Sequence, residues 1–220
     1  MYVPNLTDPE YFALEALSNS KMSELNRQEN GRPEVNPENY RIGSIVDAIL
    51  TAPYLVNWLD YTVAGKQYTE DEFKLSNLMC ADFQRSVYAP LLKGITQASF
   101  VTEIPIDIGP KIINVTGKCK ADVWCKGASA GIDLKTTVAT TQEQFVKAVQ
   151  FLDYDRQSAW YSDVMEVDRF LLLGISKKAR KIFPYMIKRD DENYLRGKEK
   201  YQYLAGLWQV RFGEINFENL

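Results

Sequence analysis

The chain has 220 residues, of which 45% are hydrophobic and 25% charged, with a formal net charge of -3 and no histidine. This size and composition suit one globular domain with a sizeable core, and the mildly acidic balance argues against a domain that grips nucleic acid by bulk charge alone. The missing histidine excludes Ser/His/Asp and Cys/His triads, HExxH zinc sites and an imidazole general base together, so any catalysis must use carboxylates, lysine, tyrosine or a metal.

Cys80, Cys119 and Cys125 are an odd number with no CxxC pair, which predicts packing residues rather than a disulfide framework or zinc ribbon. The opening MYVPNLTDPEYF lacks the basic and apolar regions of a secretory signal, and apolar runs such as Phe170 to Leu173 are far too short to cross a bilayer. The expectation is a soluble cytoplasmic protein with no membrane partner.

In chain order, residues 1–40 read as a helical and loop extension, with Asn30-Gly31 and two prolines in the loop-rich stretch Glu29 to Tyr40. Ile42, Ile45, Val46, Ile49 and Leu50 then fall at helical spacing until Pro53, with Asp47 off that stripe. Thr69 before Glu70, Asp71 and Glu72 predicts a capped helix running to about Ser86 or Leu92. Ala98 to Ile108, Ile112 to Cys125 and Ala130 to Thr137 predict an antiparallel meander of three strands, rich in β-branched residues. Helices follow at Gln142 to Val149 and Tyr154 to Met165, strands at Arg169 to Ser176 and Lys181 to Ile187, and a closing helix at Asp190 to Val210. The pattern is an α/β fold, a mixed central sheet flanked by helices, in a single domain over 1–220 with its core at 41–189 and a C-terminal helical part at 190–220.

The chemically informative stretch is Gly117-Lys118-Cys119-Lys120-Ala121-Asp122-Val123-Trp124, followed after a turn by Gly131-Ile132-Asp133-Leu134-Lys135. Strand alternation sends Asp133 and Lys135 to one face and Ile132 and Leu134 to the other. Pairing through the intervening turn brings Asp122 near Asp133, so two carboxylates and an ammonium converge. Such carboxylates repel unless a cation or proton separates them, and oxygen-only ligands suit Mg²⁺, with Mn²⁺ as a substitute.

These residues resemble the PD-(D/E)XK motif of a large nuclease superfamily with a restriction-endonuclease-like core. The segment Tyr154-Asp155-Arg156-Gln157-Ser158-Ala159-Trp160-Tyr161 resembles the YxxQxxxY helix of its RecB-like and exonuclease VIII-like (RecE-like) phage exonuclease branch. Leu17-Ser18-Asn19-Ser20-Lys21 and Gly43-Ser44-Ile45-Val46-Asp47 resemble that branch's upstream SxSxL and GxxxH segments. The resemblance implies Asp122, Asp133, Lys135, Gln157 and Tyr161 as catalytic residues. Metal would be held by Asp122, Asp133 and the Leu134 backbone carbonyl, with Asp47 in place of the family histidine and Glu103 as a further acid. It implies a Mg²⁺-dependent exonuclease acting on double-stranded DNA ends in phage or prophage recombination. Such an enzyme works in a bacterial or phage-infected cell beside a single-strand annealing protein, as a homo-oligomer that can be ring-shaped.

Each feature also has a plainer reading. Asp133 and Lys135 could form a cross-strand ion pair on a solvated face, and Tyr154, Gln157 and Tyr161 a packed helix face. Lys177, Lys178, Arg180, Lys181, Lys188 and Arg189 could track phosphates, yet such residues are most often ordinary surface, and no residue is assigned to DNA. Two alternatives keep the fold: a structure-specific endonuclease, and a DNA-binding or assembly module that has lost catalysis.

Overall fold

The computed structural model describes residues 1–31, 33, 36–109 and 111–213. Strand β1 (Tyr2–Val3) leads into α1 (Asp8–Ala13) and α2 (Asn19–Glu29). Next come α3 (Arg41–Thr51), a small hairpin of β2 (Thr62–Val63) and β3 (Lys66–Gln67), and α4 (Glu70–Gln84). The meander is β4 (Ile95–Asp107), β5 (Ile112–Cys125) and β6 (Ala130–Thr137). Helices α5 (Gln142–Phe151) and α6 (Tyr154–Met165), strands β7 (Arg169–Ser176) and β8 (Ile182–Lys188), and α7 (Glu192–Phe212) complete the chain.

The fold is mixed α/β, as the sequence pattern predicts. Its central sheet runs β1-β4-β5-β6-β7-β8, antiparallel throughout except for the parallel β6–β7 pair. A parallel step cannot be made by a tight turn, and α5 with α6 supplies the crossover. Strand β7 shows why one stretch reads as an unbroken apolar run. Phe170 and Leu172 enter a core with Phe145, Trp160 and Tyr201 from α5, α6 and α7, whereas Leu171 and Leu173 enter a second core with Val46, Leu50, Met79 and Phe83 from α3 and α4. A strand covered on both faces has no polar side.

Local chemistry accounts for the helix boundaries. Thr69 caps α4 and Glu72 returns the bond in a capping box, while Ser18, Thr141 and Asp191 cap α2, α5 and α7. Capping by Asp191 starts α7 two residues after the expected Asp190. The two-residue strands β1, β2 and β3 lie below what periodicity can detect. The hairpin is tied down instead by Arg41, which donates to Val63 O (2.7 Å), Gln67 O (2.9 Å) and both oxygens of Glu72 (2.6 and 2.9 Å). Strand β4 starts at Ile95, not Ala98, because Gln97 takes a left-handed backbone (φ 51°) that interrupts the pattern without ending the strand. Cys80 and Cys119 are buried and Cys125 half-buried, all unpaired. Among the described residues no helix is long and apolar enough to cross a membrane.

Helix α6 is held from behind by α7. Asp155, fully buried, pairs with Arg196 (2.7 Å) and Lys200 (3.1 Å), and the α7 backbone comes so near at Gly197 that an added Cβ would stand 2.2 Å from the Asp155 carbonyl oxygen. A main-chain oxygen cannot step aside as a side chain can. Gly197→Ala is therefore expected to destabilise the protein by about 2–3 kcal/mol, read as a lower urea midpoint at unchanged slope.

Candidate active site

Strands β5 and β6 pair only from Cys125↔Ala130 to Val123↔Ile132. Beyond that point they part, and the Asp122 side chain takes the next ladder position, with its Oδ2 accepting from the Leu134 N–H at 2.6 Å. In an extended strand a residue's N–H and C=O point the same way, so the Leu134 carbonyl faces the same gap. The alternation expected for β6 holds, since Ile132 and Leu134 pack with the α3–α4 core while Asp133 and Lys135 face α6.

There Gln157 Nε2 donates to Asp133 Oδ1 (2.7 Å), and Lys135 Nζ lies 2.6 Å from Asp133 Oδ2 and 4.7 Å from the centre of the Tyr154 ring. Apart from that ion pair, Asp133 Oδ2 is buried without a hydrogen-bond partner. Tyr154 at position 1 and Gln157 one turn later thus act from one helix face on the ion pair. Tyr161 is two turns along, its ring edge-on against Phe170 (5.5 Å, 85°), and Tyr154 rather than Tyr161 meets the lysine.

Asp47 reaches the same region from α3. Its carboxylate accepts from Thr51 Oγ1 (2.9 Å) and from Gln97 Nε2 (3.2 and 3.3 Å). The electrostatics tie the three acids together. Burial pushes the Asp122 carboxyl well above the usual range, and the neighbouring Asp47 and Asp133 add to that rise against Lys135 and the Leu134 N–H. Asp47 is also raised, chiefly by burial and in part by Asp133, with the Thr51 and Gln97 hydrogen bonds and Lys120 opposing. For Lys135 burial favours the neutral amine, but Asp133, Tyr154 and Asp122 outweigh it and hold the ammonium above its ordinary value.

The donor set of Asp47, Asp122, Asp133 and the Leu134 carbonyl is all oxygen, which fits a hard divalent cation. The elevation of Asp47 and Asp122, each raised in part by a neighbouring acid, fits the same need for positive charge. Among the described residues no group of three or more His, Cys, Asp or Glu side chains stands preassembled for a metal. Repulsion between unscreened carboxylates works against such closure.

Glu103 is not part of this site, contrary to expectation. It is exposed on β4, accepts from Thr116 Oγ1 (2.6 Å), and lines a separate cleft with Asp163, Arg189 and Lys198. Register is the reason, because Glu103 stands opposite Thr116, six residues along β5 from Asp122, a span of about 20 Å. The β4 residue that does reach the acids is Gln97, which the sequence pattern did not single out. Nothing in its type or spacing marks it, since its reach follows from the left-handed backbone. Of the basic residues, Arg180 pairs with Asp82, and Arg189 pairs with Asp163 (2.7 Å) and donates to Ser162 O (2.9 Å), bracing the end of α6.

No protein-family model matches the chain, and no curated protein matches it significantly in sequence. Its fold is shared with the crystal structure of a candidate exonuclease from Eubacterium rectale, at a TM-score of 0.69 and 20% identity over 96% of this chain and 88% of that one. An alkaline exonuclease from Laribacter hongkongensis overlaps with a TM-score of 0.43 at 13% identity, covering 93% and 94% of the two chains. A phage-related exonuclease from Haemophilus somnus gives 0.38 at 12%, covering 76% and 79%. The last two overlaps are too loose to carry weight.

The raised Asp122 carboxyl has a consequence for stability. A carboxyl whose pKa is higher folded than unfolded is bound to its proton more tightly in the folded state, so the metal-free protein loses stability as pH rises from about 4 through the folded value. Asp122→Asn keeps an oxygen acceptor for the Leu134 N–H and removes the charge. In the metal-free protein its melting temperature is expected to exceed that of the unsubstituted chain at pH 8, with the gap closing toward pH 4, as followed by circular dichroism.

Proposed function

We propose that this protein is a metal-dependent nuclease that hydrolyses phosphodiester bonds of linear double-stranded DNA from its ends. The observation that carries this reading is the convergence of Asp122, Asp133 and Lys135 at the point where β5 and β6 part, with Gln157 bonded to Asp133. The fold shared with the candidate exonuclease from Eubacterium rectale supports it. The order of the D…DxK strands and the YxxQxxxY helix supports the finer assignment to the exonuclease VIII-like branch. The same resemblance underlies the setting we propose: recombination of phage or prophage DNA in the cytoplasm, beside a single-strand annealing protein, by a homo-oligomer that can close into a ring.

Asp122, Asp133 and the Leu134 carbonyl would hold Mg²⁺, or Mn²⁺ in its place, with Asp47 as a further ligand. A divalent ion bound there supplies a more acidic water and a Lewis acid for the phosphate oxygens. The chain's own groups do the rest. Gln157 fixes the rotation of the Asp133 carboxylate, so its second oxygen stays turned to Lys135 and the gap. Lys135 stays protonated in the metal-free arrangement, which favours a cation that orients water and offsets charge on the transferring phosphate over a general base. The Tyr154 ring under the ammonium limits where that charge can swing. Burial raises the Tyr161 phenol well above its ordinary value, and its ring packs edge-on against Phe170 of β7 in the core.

Purified protein is expected to shorten linear duplex DNA with Mg²⁺ present and to spare covalently closed circles. Lys135→Ala should lower the rate by about 10²–10³-fold with an unchanged circular dichroism spectrum. Equal digestion by Lys135→Ala sinks the assignment of the site. Cutting of closed circles moves the reading to an endonuclease, and the absence of both Mn²⁺ uptake and digestion moves it to a non-catalytic module.

A further inference from the structure

Gln97 combines two features that packing does not explain. It is a non-glycine residue with φ of 51°, a backbone region in which a Cβ is crowded, and the β4–β5 ladder skips it between Thr96↔Val123 and Ala98↔Ala121, opposite Asp122. Its side chain spends both amide protons at the acidic site. One reaches Thr51 Oγ1 (2.7 Å) and the other lies across the two oxygens of Asp47 at 3.2 and 3.3 Å. The Thr51 hydroxyl accepts from Gln97 and lies 2.9 Å from both Asp47 Oδ1 and the Asp47 main-chain oxygen one turn back on α3, so its one proton is shared between the carboxylate and the helix backbone. Strain in a residue whose polar reach ends on a functional carboxylate is the pattern expected of a built site rather than of a loose loop.

We propose that Gln97 is a positioning residue of the metal site, acting through Asp47. With Thr51 it fixes the plane of that carboxylate in the orientation from which Asp47 joins Asp122 and Asp133 on a divalent cation. The proposal rests on the metal-dependent reading above and adds to it a residue outside the D…DxK and YxxQxxxY motifs. An aspartate carboxylate rotates freely about its last bond, and an amide bridging both oxygens removes that freedom. Hydrogen bonds to a ligand from outside its metal typically govern affinity by 10–100-fold.

The test is Mn²⁺ titration calorimetry on the full chain, beside thermal melts without metal. Gln97→Gly suits the left-handed backbone and removes only the side chain, and Thr51→Val removes only the hydroxyl. Gln97→Gly is expected to weaken Mn²⁺ binding about tenfold while the metal-free melting temperature stays within about 4 °C. Thr51→Val is expected to weaken binding in the same direction, which keeps the proposal open to test should one variant fold poorly. Asp47→Ala should weaken binding too, and the Asp47→Ala, Gln97→Gly pair no more than Asp47→Ala alone, since Gln97 acts only through Asp47. Gln97→Gly binding Mn²⁺ as tightly as the unsubstituted chain or more so, additive losses in the pair, or an Asp47→Ala protein with unchanged affinity each overturn the proposal while leaving the nuclease reading in place. An unsubstituted chain that takes up no Mn²⁺ and digests no DNA overturns both.

Discussion

Ionised carboxylates crowded together out of water repel one another, and neighbouring hydrophobic contacts do nothing to screen them. Asp133 is buried and Asp47 and Asp122 half-buried beside it, near enough that neighbouring acids raise both of the latter, and the visible compensations are partial: an ammonium and an amide on Asp133, a main-chain N–H on Asp122, an amide and a hydroxyl on Asp47. The parting of β5 from β6 after Val123↔Ile132 makes the crowding possible, because a continued ladder would have filled the gap with backbone hydrogen bonds. The acids, the lysine and the strained glutamine all answer to that opening. In the function proposed above, that opening is where a divalent cation would sit.

The rest of the molecule holds this unfavourable arrangement in place. Each acid is delivered by a different element, α3, β5 or β6, and α6 supplies the glutamine that orients Asp133. None of these elements can relax alone, since α3 is locked by Val46 and Leu50 in one core and α6 by Trp160 in the other. Burying a ring the size of Trp160 contributes roughly 3 kcal/mol, comparable to the cost of a poorly compensated buried polar group. The close crossing of α7 at Gly197 and the Asp155 ion pairs add rigidity behind α6. Precision at the gap is thus inherited from two cores and one helix crossing.

The order of elements was readable because long strands and helices carry strong periodic signals. The capping box at Thr69 and Glu72, the alternation in β6 and the one-face spacing of Tyr154, Gln157 and Tyr161 are local properties, set by 2- and 3.6-residue repeats. Two-residue strands such as β1, β2 and β3 have no period to read. Glu103 lies away from Asp122 because an acid on the right strand is not an acid at the right register. Its distance from Asp122 depends on where β4 and β5 pair.

The sequence by itself therefore determined the α/β class, the residues that alternate or share a helix face, and the oxygen-rich, histidine-free chemistry open to the site. Only the tertiary structure decided that Asp47 comes within electrostatic reach of Asp122 and Asp133, that Tyr154 rather than Tyr161 lies against Lys135, and that Gln97 bonds to Asp47 while Glu103 bonds to Thr116. Periodicity constrains neighbours a few residues apart. Contacts between α3, β4 and β5 depend on strand register, on a left-handed residue and on where a ladder ends, and those are set by the packing of the whole chain.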